Sequence, residues 1–424
     1  MRMHVRSLAL PLLSCLACGG SPAGDSGEAS SGESSETSST PTTGDATTST
    51  GEATTGTSPT GDPGSSDSSS SEPGSTGTSD PTTGDAGDDF IYPEPDWEPV
   101  DPMVAGFDPA GLEAMAAEAN KTDSNCLVVT RRGQLVGEWY WNDFGPETRQ
   151  DNVYSVTKSV TSALVGIAVE RGELDIEAPA GFSEWVGTQS EAIKLRNLIS
   201  NDSGREWSFN KDYIDMGLAP DQTQFAVDLT QQQPIGTWWE YNNAAIQTVE
   251  RALVAGTGSA VDSYAEAHLF NKIHMAATMG HDQDGNTLTY QGVSASCRDL
   301  ARFGYLYLRG GLWAGGEQVV PAAWVTASTT PSTALNQAYG FMWWLNRDGH
   351  WILPSTPLRD EGDGRLVPDA PAEVFAAIGA GGQLVVVDPT TESVWVRLGP
   401  LDLTDAAGIA KLKALWAAFS AALT

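Results

Sequence analysis

Between Ser21 and Asp89 the chain has no aromatic residue, no Leu, Ile or Val, and no Lys or Arg. Such a stretch of Ser, Thr, Gly, Ala, Pro, Asp and Glu cannot bury enough apolar surface to offset its conformational entropy. A packed domain is excluded there, and a disordered linker is expected over 18–89. Pro41-Thr42-Thr43-Gly44-Asp45 recurs as Pro81-Thr82-Thr83-Gly84-Asp85, which marks low-complexity growth and not a folded repeat. The hydrophobic 40% of the 424 residues therefore lies mostly from Phe90 onward, ample for one large core. Long apolar runs are also missing. Leu8 to Ala17, behind Arg2 and Arg6, is too short to span a bilayer as a mature helix and reads as an export signal over 1–17.

Positive charge is scarce: 23 Lys and Arg against 55 Asp and Glu give a net charge of -32. That excludes nucleic acid and direct adsorption to anionic lipid as partners. Cysteine is scarcer still, with four. Cys15 and Cys18 close the apolar run, and Leu12-Leu13-Ser14-Cys15 and Ala17-Cys18-Gly19-Gly20 each resemble the end of a bacterial lipoprotein signal. The resemblance implies a lipid on Cys15 or Cys18, the choice being open, and an exported protein anchored to a membrane in the periplasm or at the cell surface. A tail of about 70 residues would then be a tether with a reach of roughly 45–50 Å. Cys126 and Cys297 are either a disulfide or two buried thiols. No Cys or His spacing suits a metal, and Asp282-Gln283-Asp284-Gly285-Asn286 lacks the offsets of a calcium loop and reads as a turn. No metal and no cofactor are expected.

From Phe90 the pattern supports one domain over 90–424. Pro109 to Asn120 has the period of an amphipathic helix, and Cys126 to Thr130 and Leu135 to Trp141 read as a hairpin around Arg131-Arg132-Gly133-Gln134. Val374 to Ile378, Gln383 to Val387 and Ser393 to Leu398 read as strands, and Thr404 to Ala422 as a closing helix. The middle is mostly helical, as at Ser155 to Arg171, Ala244 to Ala255 and Cys297 to Leu308. The expected fold is therefore of the α+β kind, an antiparallel sheet with flanking helices built from both termini (about 103–150 and 328–424) with an all-helical lobe (about 151–327) inserted between them. A cleft between two lobes is a usual ligand site.

The segment Tyr154-Ser155-Val156-Thr157-Lys158 opens a helix whose Val156, Val160, Ala163, Leu164 and Ile167 make a buried stripe. A Ser and a Lys three residues apart share one helix face. The hydroxyl is a weak nucleophile until a base takes its proton, and Lys can be that base only when burial or nearby positive charge lowers its pKa. The spacing alone is weak, because Ser208-Phe209-Asn210-Lys211 repeats it with no apolar helix behind it; that copy reads as loop. Farther on, Gly236 to Glu240 leads to Tyr241-Asn242-Asn243 at the start of another apolar helix. Trp343 and Trp344 are candidates for an aromatic substrate wall, with core packing as the alternative.

Ser155 to Lys158, then Tyr241-Asn242-Asn243, then the glycine-rich Gly379-Ala380-Gly381-Gly382-Gln383 resembles the penicillin-recognising serine hydrolases. Within them it is similar to class C β-lactamases and D-alanyl-D-alanine carboxypeptidases, and most of all to the branch of 6-aminohexanoate-dimer hydrolases and esterases. The resemblance covers about Phe107 to Thr424. It implies a serine hydrolase with a β-lactamase/transpeptidase-like fold. Ser155 would form an acyl-enzyme and Lys158 would accept its proton. Tyr241, made acidic by neighbouring charge, would protonate the leaving group. Asn243 would bind Lys158 or substrate, and the N–H of Ser155 and of the strand near Gly382, with Gly381 beside it, would form the oxyanion hole. The family's third motif normally carries a Lys or His, missing here, which favours an ester or linear amide over substrates bearing a carboxylate. A small-molecule or short-peptide substrate and a monomer are expected; a D-alanyl-D-alanine carboxypeptidase or class C β-lactamase is one alternative, and a catalytically idle wall-binding relative is the other.

Overall fold

The computed structural model describes residues 91–145, 149–355, 358–400 and 408–424. The export signal, the lipidation at Cys15 or Cys18 and the linker over 18–89 lie outside them. Six strands form an antiparallel sheet: β1 (Cys126–Arg131), β2 (Gln134–Tyr140), β3 (Trp344–Leu345), β4 (Phe375–Gly379), β5 (Gln383–Asp388) and β6 (Ser393–Leu398), in the order β2-β1-β6-β5-β4-β3. β1 pairs with β6 in the register Cys126 to Leu398, so the two ends of the folded chain meet side by side in the sheet. This is the expected architecture.

All six residues of β5 are buried, because both faces of the sheet are covered. Leu384 and Val386 join one core with Trp395, Trp416 and Phe419; Val385 and Val387 join the other with Leu300, Phe303 and Tyr307. The period-2 alternation of a strand thus divides the hydrophobic residues between two layers. On the first face lie α1 (Pro109–Asn120) and α6 (Gly408–Ala422). α1 begins where the Asp108 carboxylate accepts from the N–H groups of Ala110 and Gly111 at 3.2 Å, with Pro109 at the first helical position.

On the second face lies α5 (Cys297–Leu308). A Cβ on its Gly304 would stand 2.6 Å from Val394 Cγ1, so only Gly lets the helix approach that closely. α5 falls inside the range expected for the helical lobe, yet it belongs to the sheet layer. Its hydrophobic face matches the valines of β5 and β6, which sequence periodicity cannot pair with it. The Cys126 and Cys297 sulfurs form a disulfide that ties β1 to the first residue of α5. Beyond α5, α2 (Val156–Glu170) runs through the molecule between the sheet and the lobe, where α3 (Gln222–Asp228) packs on α4 (Asn243–Thr257). Among the described residues no helix is long and apolar enough to cross a membrane.

Candidate active site

The start of α2 is fixed by a sharp change of chain direction. Asp151 and Asn152 pair with Ala295 and Ser294 as a short strand, and the N–H of Val153 donates to Val293 O at 2.9 Å. The Asn152 side chain then accepts from the N–H of Tyr154 at 2.7 Å, holding Tyr154 at φ 47. A bulky residue in that left-handed region is strained, and strain of this kind gathers at functional sites. Ser155 follows at the cap position, but its side chain makes no capping bond. The hydroxyl is left for Lys158, whose Nζ stands 2.9 Å from Ser155 Oγ.

Lys158 is buried, with 1% of its surface exposed. Nζ also donates to Asn243 Oδ1 at 2.7 Å and to the Tyr290 carbonyl at 2.9 Å. Both of those oxygens can only accept. A neutral amine in this place therefore gives its two N–H bonds to them and turns its lone pair toward the one neighbour able to donate, the Ser155 hydroxyl. Burial pushes the amine down to about 7 against the opposing pull of Asp212, so the neutral form is accessible near neutral pH. The rings of Tyr241 and Tyr290, with centroids 4.8 and 5.6 Å from Nζ, complete the enclosure.

The two asparagines after Tyr241 have separate tasks. Asn242 caps α4, its side chain accepting from the Ala245 N–H at 2.8 Å. Asn243 turns into the site, its oxygen toward Lys158 and its Nδ2 donating to Asp212 Oδ2 at 2.8 Å. The Tyr241 ring stacks on Trp344 at 5.8 Å and meets Tyr339 edge-on at 6.0 Å, which fixes its plane. Burial pushes the Tyr241 phenol upward from its ordinary value and outweighs the Ser155 side chain, which pulls it down. The acidic Tyr241 expected from the sequence is therefore corrected. The phenol is enclosed by the rings of Trp239, Tyr339 and Trp344, and the charge of Asp212 disfavours the phenolate further.

Three other expectations change. Trp343 is fully buried, stacked on Phe303 at 5.7 Å and packed on Tyr307 and Phe375, so it is core and no substrate wall. Trp344 is 6% exposed and acts from behind Tyr241. Gly381 and Gly382, at φ 76 and 77, form the β4–β5 turn, and their carbonyls accept from Arg397 Nη1 at 2.8 and 3.0 Å. The residue of that stretch that approaches the nucleophile is Gly379: a Cβ there would meet Val153 O at 2.3 Å, two residues before Ser155. Strand pairing, invisible in the motif, decides which glycine faces α2.

The site contains two groups that motif reading missed. Tyr290 bonds Lys158 through its carbonyl, which every residue type possesses and no sequence pattern marks, and adds its ring to the enclosure. Asp212 sits in a π-helical turn, Lys211–Asp215, directly after the second Ser-x-x-Lys copy; the region read as loop is helical. A cavity of about 440 Å³, lined by Trp185, Arg205, Asp228 and Gln231 among others, lies in the helical lobe and includes no residue of this cluster.

Comparison with known proteins agrees with the geometry. The family model described as Beta-lactamase matches residues 112–399. A 6-aminohexanoate-dimer hydrolase of Paenarthrobacter ureafaciens is 24% identical over 341 residues, 71% of this chain and 79% of that protein. Among solved structures, a penicillin-binding protein homologue from Caulobacter crescentus superposes with a TM-score of 0.56 at 14% identity, covering 76% of this chain and 98% of that one. A class C β-lactamase from Rhodobacter sphaeroides gives 0.51 at 16% identity, covering 74% and 100%. These two likenesses establish the fold. The family match runs from α1 through the helical lobe to the end of β6, and the chain therefore belongs to the beta-lactamase family of serine hydrolases.

Proposed function

We propose that the protein hydrolyses an ester or linear amide of a small molecule or short peptide through an acyl-enzyme on Ser155. The observation that carries this reading is the placement of Lys158 Nζ, 2.9 Å from Ser155 Oγ and bonded to two oxygens that can only accept, which leaves the lone pair of the neutral amine for the hydroxyl. Ser155 Oγ attacks the carbonyl carbon while its proton passes to Lys158 Nζ. The developing oxyanion lies against the Ser155 N–H at the first turn of α2, where N–H groups have no partner within the helix and the helix dipole favours negative charge. Collapse of the tetrahedral intermediate breaks the bond to the leaving group, which takes a proton from the Tyr241 phenol; Lys158 returns one to Tyr241. Water then attacks the acyl ester, giving up its proton along the same route, and Ser155 is regenerated.

The choice of ester or linear amide over substrates bearing a carboxylate is supported by the third motif. Ala380 stands where the family's cation would be expected, and the cations that reach this turn, Arg397 and Lys411, bond to its carbonyls. The similarity to a 6-aminohexanoate-dimer hydrolase also favours a linear amide. The proposal places the protein outside the cell on a lipid anchor, in keeping with a Cys126–Cys297 disulfide, which persists in oxidising compartments. Nitrophenyl esters and a fluorophosphonate probe test the chemistry. Turnover and labelling by the wild type and neither by Ser155→Ala are expected. Equal behaviour of the two proteins overturns the proposal and leaves a binding protein.

A further inference from the structure

We propose that Asp212 is a positioning residue for the base, locking the Asn243 amide so that its oxygen faces Lys158 and placing one negative charge behind the amine. The inference rests on the hydrolase reading for its catalytic meaning, though its geometry stands by itself. The oxygen and nitrogen ends of an amide have nearly the same shape, so only their partners decide which way the group points. An ionised carboxylate is acceptor-only. Asp212 Oδ2 takes the Asn243 Nδ2 donor at 2.8 Å, and this leaves Asn243 Oδ1 for Lys158 Nζ at 2.7 Å. With the amide flipped, a neutral Lys158 would face an N–H donor and would have to accept it with its only lone pair. That lone pair would no longer be available to the Ser155 hydroxyl. Asp212 thus governs the direction in which the base points.

Asp212 is itself held rigidly. Its other oxygen accepts from the Ala244 N–H at 2.9 Å, at the first turn of α4, where the helix favours an anion. The carboxylate is 2% exposed and lies in the π-helical turn Lys211–Asp215; such turns frequently occur at functional sites. The titratable groups around it are Lys158 from α2, Tyr241 before α4, Tyr290 from the opposite wall, and Tyr213 on its own turn with Glu240 beyond that. Lys158 is the cation opposing it. Burial raises the carboxyl to about 6, so it is ionised where Lys158 titrates.

The chain has seven lysines, so a full-length sample labelled with ¹³C at lysine Cε gives a spectrum in which Lys158 is identified by its loss in Lys158→Met. In wild type the Lys158 signal is expected to titrate near 7. It is also expected to share a step near 6 with the Ala244 amide, which reports Asp212 directly. In Asp212→Asn the Lys158 midpoint should move to lower pH, because the charge that favours the ammonium form is gone. On a nitrophenyl ester the variant should lose roughly 100-fold in kcat with little change in KM, its acid limb displaced the same way. An Asp212 that served folding alone would lower the melting temperature and leave both midpoints in place; that result overturns the proposal. If Asp212→Asn does not fold, wild type still decides, since the absence of a shared Lys158 and Ala244 step also overturns it. A coupled titration without ester hydrolysis would sink the hydrolase reading and leave the positioning role intact.

Discussion

Ser155-x-x-Lys158 and Ser208-x-x-Lys211 have the same residue types at the same spacing and opposite surroundings. In the first, the amine is enclosed between α2, α4 and the Tyr290 carbonyl, and burial drives it down to about 7. In the second, Ser208 Oγ accepts from the N–H of Lys211, and the Lys211 amine reaches outward to Glu206 with 40% of its side chain exposed. The short pattern establishes which atoms can meet. Desolvation decides whether they can react. Only the first copy is followed by a helix buried on nearly every side, and that helix takes its lysine out of water.

The largest effect that could break this comparison is on the nucleophiles. Ser155→Ala should lose ester turnover by roughly 10³- to 10⁴-fold or more. Ser208→Ala should match wild type in a steady-state assay; a comparable loss there would erase the distinction. Next come the amines. Lys158→Met is expected to lower kcat roughly 10²- to 10⁴-fold, whereas Lys211→Met should stay within about threefold.

The difference is sharpened by pH. Because Lys158 must be neutral to accept a proton, kcat/KM should rise about tenfold per unit below about 7 and level off above it. Stability carries the same signature. The unfolded chain keeps the Lys158 proton up to its ordinary value of 10.5, while the folded protein releases it near 7, so the unfolded state binds more protons in between. Stability should therefore increase as pH rises from 7 to 9, by up to about 2 kcal/mol in urea titrations, relative to a Lys158→Met control. A parallel pH dependence of the two proteins would contradict a depressed amine. The smallest effect belongs to the surface pair. Breaking Lys211–Glu206 with Glu206→Gln should cost less than about 1 kcal/mol, measured by the same titrations.

Much of the frame was legible in advance. Pro109 to Asn120, Cys297 to Leu308 and Ser393 to Leu398 are elements whose limits the residue pattern gives to the residue, since caps, prolines and periodicity act locally. Ser155, Lys158, Tyr241 and Asn243 were equally legible, and the fold brings all four together. Asp212 was not, because it lies 31 residues before Asn243 on a turn that looked like loop. Trp343 was misplaced because an aromatic side chain looks the same in sequence whether it faces a core or a cleft.

The sequence by itself determined the elements, the order of the motifs and the residue types able to do acyl chemistry. Those properties depend on neighbours within a few positions along the chain. The tertiary structure alone decided that α5 covers the sheet, that Cys126 reaches Cys297, that Gly379 packs on the Val153 carbonyl just before Ser155, and that Lys158 is stripped of water with its amine 2.9 Å from the Ser155 hydroxyl. Each of these requires atoms from segments more than a hundred residues apart or from strands paired across a sheet. Desolvation is a property of the packed whole, and no stretch of sequence carries it.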